Sequence, residues 1–548
     1  MKVYQALANA FYAEGVTAVF GMMGGANASW MKYMNELGAT VHHVRHEGAG
    51  LAMADGWARM TGTPGVVTTT GGPGIAQLAT AMIVAGRANT PLVAFCGDVP
   101  FGDDDAAQHL DQARFAAAVE AGFVRLTSAD TVYEKVQRAF HQARTESRPV
   151  ILSMPEDLRN HDVDDADEYV PSTALLTANP PYPNPASIAE AVDLIAGSEK
   201  PVIIVGRGAI LAGAGEEIRR LADRTGAVIA TSLIAKNWLN DHPYHAGVSG
   251  LFSTRTGMEL FGESDCVIAI GASMNLYTTE HGYLYPSAKV IQIDAKRSVV
   301  MGDGRTADCY ISSDAKLGTQ VLDAALAERG VTLTGYHTDE VRDRLEHALD
   351  DPQEYEFGAG LVDPREAVRV LDEEIPGDIG LVLGGGQQNH FGIMLARRPR
   401  SWILPNLHFA CIGQGMPTAI GGVIAENTPA FLLEGDAGFL MHLADFETAV
   451  RYAVPLLVVV MNDEGMAAEY HSMLTKDIDL SMTSIPTPDL GAVGVTLGGR
   501  GALCRSVEEL RQAAKEFVAS PGPMIIDLRI AQVVASIPNR RRFYGQEA

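Results

Sequence analysis

The stretch Ala430-Phe-Leu-Leu-Glu434, followed by Gly435-Asp-Ala-Gly-Phe439, decides the fold. A helix-like run from Met441 to Tyr452 comes next, and a second apolar run, Leu456 to Met461, ends in Asn462-Asp-Glu-Gly465. Two apolar runs of strand length joined by a helix read as parallel strands buried on both faces. Ligands of open parallel sheets bind outside the carboxyl ends of the strands. Asp436 and Asp463, 27 positions apart, leave two such ends and can converge on one hard cation. Ala437 and Gly438, small and opening a helix, let backbone N–H groups approach an anion.

The same alternation extends outward in both directions. In the third block Ile379 to Leu383 and Met524 to Asp527 also read as strands. A second block has strands at Pro201 to Val205, Val228 to Ala230, Cys266 to Ile270 and Lys289 to Ile293. The first block has Gly65 to Thr70, Pro91 to Cys96 and Pro149 to Met154, with a helix from Ala76 to Arg87. The acid-rich run Asp162 to Glu168 and Asn179-Pro-Pro-Tyr-Pro-Asn-Pro185 mark a linker over about 158–186. A polar segment from Thr332 to Gly358 separates the third block. The expectation is an α/β chain of three doubly wound parallel-sheet domains, at 1–160, 186–330 and 360–548. Arg148-Pro-Val-Ile-Leu152 and Gly522-Pro-Met-Ile-Ile526 close the outer blocks with one phrase, which suggests a shared topology.

Composition limits the partners. The 548 residues are 47% hydrophobic and 20% charged, with a net charge of −25. Such a polyanion is a poor ligand for nucleic acid or for an anionic membrane surface. No apolar run is long enough to span a bilayer. The N-terminal Met1 to Gly15 reads as an amphipathic helix without a secretory core, and five scattered cysteines form no CxxC pair. A cytoplasmic location is expected.

The third-block motif, standing here as GDAGF…MNDEG, resembles the metal and diphosphate motif of thiamine-diphosphate enzymes. The likeness runs through the chain. Arg45-His-Glu47 before the helix Gly48 to Met60 is similar to the family's activating glutamate, and Thr70-Gly-Gly-Pro-Gly74 to its glycine turn. Gly413-Gln-Gly-Met-Pro417 matches its G-x-G-x-P segment, while Val205-Gly-Arg-Gly208 and Ile291-Gln-Ile-Asp294 resemble its central domain. The relatives implied are acetolactate synthases and pyruvate and benzoylformate decarboxylases.

The resemblance implies pyrimidine-binding, central and diphosphate-binding domains, with thiamine diphosphate and Mg²⁺ as cofactors. Asp436, Asp463 and the Gly465 carbonyl take the metal positions. Glu47 would hydrogen-bond the aminopyrimidine and favour the tautomer that accepts the C2 proton, from a dry pocket that raises its pKa. Ile412 stands where a bulky side chain wedges the cofactor into its bent shape. Gly386, Gln387, Ala410, Ala437 and Gly438 fall at cofactor contacts. The cofactor would lie between the first domain of one subunit and the third of another, hence a homodimer or homotetramer.

Departures bear on the site. Asp463 stands where the family usually has asparagine, Ala437 where it has glycine, and Met23 where a proline precedes Gly24. On the substrate side, Glu469 aligns with an acid of the pyruvate-decarboxylase branch. Gln112 resembles the carboligases' glutamine, and His109 lies near the paired histidines of decarboxylases, although no pair exists here. His42, His43 and His46 flank Glu47, and His281 is a candidate for the entrance. The tail Arg540-Arg-Arg-Phe-Tyr544 would close over the site or hold an anionic handle. Gly271-Ala-Ser273 lacks the arginine of flavin-containing relatives, so FAD is not expected.

The activity implied is decarboxylation of a 2-oxo acid, carboligation, or both. A lyase acting on a 2-hydroxyacyl-CoA or 2-hydroxyketone is the sibling reading. More remote are a Rossmann-type dinucleotide protein and a non-catalytic homologue.

Overall fold

The computed structural model describes residues 1–163, 168–176, 179–296, 304–349 and 351–545. Its frame is three sheets of six strands, each pairing parallel. The first holds β1 (Ala18–Gly21), β2 (Thr40–His43), β3 (Gly65–Thr69), β4 (Leu92–Asp98), β5 (Gly122–Arg125) and β6 (Pro149–Pro155). The second holds β7 (Pro201–Val205), β8 (Val228–Thr231), β9 (His245–Val248), β10 (Cys266–Ile270), β11 (Lys289–Asp294) and β12 (Cys309–Ser312). The third holds β13 (Gly380–Leu383), β14 (Ile403–Pro405), β15 (Ala430–Gly435), β16 (Leu456–Asn462), β17 (Arg500–Cys504) and β18 (Met524–Arg529). Helices flank each sheet, as the α/β reading expects.

The outer sheets are wound alike. Their orders are β2-β1-β3-β4-β6-β5 and β14-β13-β15-β16-β18-β17, the same path. The repeated closing phrase falls on β6 and β18, which occupy equivalent places, so the two outer domains do share one topology. The central sheet runs β9-β8-β7-β10-β11-β12, a doubly wound order whose switch point lies between β7 and β10. There Gly206 and Gly208 press against Gly271, which has φ +56°. A side chain at Gly206 would collide with the Gly271 carbonyl, so these glycines serve backbone packing. Arg207 reaches across to the Ala88 carbonyl of the first domain.

Three local expectations change. The run Met441 to Tyr452 is two helices, Asp436–Met441 and Ala444–Arg451. The segment after Thr332 carries the helix Asp339–Glu346, whose Val341 and Leu345 bury with Tyr336 in the central core. Within the linker, Tyr169 and Ser172 are tied to the buried carboxylate of Glu14. Its residues 164–167 and 177–178 lie outside the described ones. No helix among the described residues is long and apolar enough to cross a membrane.

First and third domains share one core. The helix Glu47–Thr61 supplies Ala52, Met53 and Trp57, and the helix Gly415–Glu426 supplies Met416, Ala419 and Ile420. They cross at glycines: a methyl on Gly56 would strike the Thr418 carbonyl, and one on Gly421 the Met53 carbonyl. Glycine in a helix interior costs roughly 1 kcal/mol against alanine, so backbone contact is the reason for it here. Gly421→Val is therefore expected to destabilise by about 3 kcal/mol or more. A urea midpoint within error of wild type would contradict this.

These contacts also fix direction. Gly56 meets Thr418 while the earlier Met53 meets the later Gly421, an antiparallel order. Glu47 therefore lies about 13 Å along its helix from the crossing, and Gly415 about 5 Å along the other helix, on the far side. The heads of the two helices lie on opposite sides of the crossing, with His442 set against both N-cap residues, His46 and Gln414.

Candidate active site

The site is built at the carboxyl edge of the third sheet. Gly435 pairs with Met461 across β15 and β16, so Asp436 and Asp463 emerge from neighbouring strand ends. Asp436 is 1% exposed and opens its helix, yet its Oδ1 has no hydrogen-bond partner. Both oxygens of Asp463 also lack one, although the Gln532 amide lies beside them. Burial raises Asp436 to about 6. Burial, with the negative charge of Asp436 added, raises Asp463 to about 8. Two buried acids that disfavour each other's ionisation, with three orphaned oxygens between them, form a donor set suited to a hard cation. Gly465 follows, pinned where a side chain would meet the Thr483 carbonyl and the Gln532 amide.

Beside the acids runs a floor of bare backbone. Gly386 has φ +103°, and Gly385 lies against Cys411 and Ile412, so the loop after β13 touches the segment carrying Ile412. Phe409 and Ala410 both adopt left-handed φ, 64° and 52°. Two consecutive non-glycine residues in that region store strain of a kind concentrated at ligand sites. Gly438 packs on the Gly413 N–H, and Ala437 lies beside it with its N–H toward Asp436.

Sequence reasoning passed over one group here. Glu434, at 0% exposure, lies among Gly384, Gly415 and Gly438. It faces the N–H groups of Gly385, Gly415 and Met416 without closing a directed bond, and burial pushes it up to about 8. The signal was present: an acid ending an otherwise apolar strand.

These acids predict a pH dependence in the metal-free chain. Asp463 and Glu434, both at about 8, keep protons that the unfolded chain has released well below neutrality. The stability they contribute is present in acid and is lost as pH rises toward 8. Lys236, lowered by burial to about 7, acts in the opposite sense, as do the buried His42, His390, His442 and His471, lowered to about 4. Glu434→Gln isolates one of the acids: between pH 7 and 8 calorimetric stability should change more steeply downward in wild type than in this variant, by about 1 kcal/mol per unit. Parallel profiles without metal would contradict the assignment.

Other predicted residues lie apart from this floor. Glu47 opens its helix at the carboxyl edge of the first sheet, half-buried, with Oε1 beside Gly74. His46 caps that helix through the Gly48 N–H and stacks edge-on with His442, at 5.2 Å between ring centres. His42 is buried against Phe20 and Tyr452, whereas His43 is exposed. Gln112 is 3% exposed and donates to the Gly97 carbonyl at 2.8 Å, leaving Oε1 unpartnered. His109 is exposed, 3.7 Å from Asp104. Glu469 lies exposed in the first turn of the helix Ala467–Leu474. His281 is exposed with φ +55°.

The C-terminal helix Ile537–Tyr544 uses its polar groups differently from the expected anion handle. Arg540 pairs with the buried Asp351 at 2.8 Å, and Arg541 binds the carbonyls of Leu251 and Ser253 in the central domain. Those charges are committed to domain contacts. Asn539 donates to the Gln387 side-chain oxygen Oε1, and the Tyr544 hydroxyl lies 2.8 Å from His471, so the helix covers the loop after β13. Gln387, 5% exposed, is thereby held by the chain's own tail.

Comparison with known proteins matches this layout. Family models described as thiamine pyrophosphate enzyme N-terminal TPP binding, central and C-terminal TPP binding domains match residues 1–117, 188–324 and 384–528. The chain is 27% identical over 560 residues to a probable acetolactate synthase large subunit of Methanocaldococcus jannaschii, covering 98% of this chain and 94% of that one. It is 27% identical over 559 residues to probable acetolactate synthase 2, chloroplastic, of Oryza sativa subsp. japonica, covering 96% and 83%. A sulfoacetaldehyde acetyltransferase of Castellaniella defragrans is also 27% identical over 559 residues, covering 94% and 90%. With one matched domain on each of its three sheets, in order and nearly end to end, the chain belongs to the thiamine pyrophosphate enzyme family.

Proposed function

We propose that this protein uses thiamine diphosphate and Mg²⁺ to cleave or form a carbon–carbon bond next to a carbonyl, with a 2-oxo acid as substrate. The reaction is decarboxylation, carboligation of the acyl unit to a second carbonyl, or both. The observation that carries the reading is the pair of buried, unpartnered acids at adjacent strand ends, Asp436 and Asp463, beside the strained Phe409–Ala410 turn.

In this reading Asp436, Asp463 and the Gly465 carbonyl hold the cation, which anchors the diphosphate. Gly386, Ala437 and Gly438 bring backbone to the ligand, and Ile412 supports its rings. When bound, the cofactor would supply an acidic carbon for chemistry at the substrate carbonyl. Glu47 holds the proton on the pyrimidine side. Its helix head lies on the other side of the helix crossing from the Gly415 end within one chain, and in this reading the Glu47 that serves a site comes from a second copy. The assembly would then be a homodimer or homotetramer. Glu469, His109 and Gln112 belong to the substrate side, with Glu469 as proton donor.

Incubation with a panel of 2-oxo acids, with and without acceptor aldehydes, CoA esters and sulfoacetaldehyde, read by product mass, tests this. A product that requires the cofactor and Mg²⁺ supports the reading. Turnover of a 2-hydroxyacyl-CoA alone would move the assignment to the lyase. Turnover of nothing, with no cofactor-induced thermal shift, would refute it.

A further inference from the structure

A cleft separate from this site opens between the central and third sheets. It is walled by β9, by residues 345–349, and by the helix Gln388–Leu395 with Arg397 just beyond it. Val248, Phe252, Leu345, Ile393 and Met394 give it an apolar wall, and no carboxylate lines it among the described residues.

Its polar groups are unbalanced. Asn237 and Asn240 give their amides to the carbonyls of Ala396 and Arg397. The Thr254 hydroxyl caps its own helix. Two donors remain. His245 is 5% exposed and lines the cleft. Its Nδ1 accepts the Gly247 N–H at 3.2 Å, which leaves the hydrogen on Nε2, and Nε2 faces the Trp238 carbonyl without closing a bond.

The Arg397 guanidinium makes no hydrogen bond or ion pair among the described residues. The nearest acid, Asp372, is engaged by Arg400 at 2.7 Å and by the N–H groups of Arg397 and Arg398 at 2.8 Å each. In a chain of net charge −25, this leaves a partly buried guanidinium with no anion bonded to it among the described residues.

A half-desolvated guanidinium gains most from a planar carboxylate held by its fork. One guanidinium and one neutral imidazole match a monoanion better than a phosphate dianion, and the apolar wall asks for a hydrocarbon body. We propose that this cleft binds a short, branched carboxylate, its head on Arg397 and the His245 Nε2–H and its tail against Phe252, Leu345 and Met394. The inference does not depend on the proposed reaction.

Isothermal titration calorimetry of the full chain with 3-methylbutanoate, and with its neutral amide as control, tests it. The acid is expected to bind at least tenfold tighter than the amide. Arg397→Gln should remove that preference. Met394→Trp, which fills the cleft and keeps the charge, should remove binding of the acid in a protein of unchanged circular dichroism. Equal affinity for acid and amide overturns the proposal. So does an acid affinity untouched by either variant, which would place the binding elsewhere, or no binding of the acid at any soluble concentration.

Discussion

Glu47→Gln is expected to leave a folded protein that still takes up thiamine diphosphate and Mg²⁺, while turnover should fall by about 10²–10⁴-fold, the range general acid–base groups contribute. The substitution keeps the shape and a hydrogen-bonding head but removes the group able to hold and release a proton. Folding should survive because the cap of the helix Glu47–Thr61 is His46, which accepts the Gly48 N–H at 3.0 Å. What Glu47 gives the helix as a first-turn acid is at most about 1 kcal/mol. The measurement is kcat beside the cofactor-induced rise in melting temperature. Lost turnover with a retained rise assigns the chemistry to this carboxylate. Full activity would leave Glu47 a helix-head acid and nothing more. Because Glu47 and the Gly415 end lie on opposite sides of the helix crossing in one chain, mixing Glu47→Gln with Asp436→Ala subunits should restore part of the activity in mixed assemblies.

Legibility of the fold followed burial. Central strands such as β7, β10, β15 and β16 are buried along their whole length and read as unbroken apolar runs. Every edge strand escaped notice: β2, β5, β9, β12, β14 and β17. An edge strand has neighbours on one side only, so Thr40-Val-His-His43 and Arg500-Gly-Ala-Leu-Cys504 lie partly open and carry no apolar run. The helical run Met441 to Tyr452 failed for another reason: periodicity does not show where a chain bends between two short helices.

The site was legible where chemistry fixes residue type. Asp436 and Asp463 stood at strand ends, and the structure places them together. Glu434 was hidden because its reason is three-dimensional: three glycines from three segments leave room for its carboxyl. The tail arginines misled in the opposite direction. An arginine suited to an anionic substrate is equally suited to a carbonyl of its own chain, and the Leu251 and Ser253 carbonyls take Arg541. Residue type alone does not separate those uses.

Asp436→Ala is expected to separate stability from cofactor binding by moving them in opposite directions. In the metal-free protein Asp436 is 1% exposed, with one orphaned oxygen, beside an acid whose ionisation it opposes. Removing it relieves that repulsion, so the variant without cofactor should melt no lower than wild type, even with a methyl left in its place. With cofactor and Mg²⁺ the comparison reverses. A ligand at a hundred times its dissociation constant stabilises a protein by about 2.7 kcal/mol. Wild type should show a rise of that order, whereas Asp436→Ala should show none and have no measurable turnover. Asp463→Asn keeps an oxygen at the second position and should retain part of the rise. An Asp436 whose role is only to open the helix Asp436–Met441 predicts the reverse: a less stable metal-free variant that still responds to the cofactor. Differential scanning calorimetry of both variants, each with and without Mg²⁺ and thiamine diphosphate, distinguishes the two.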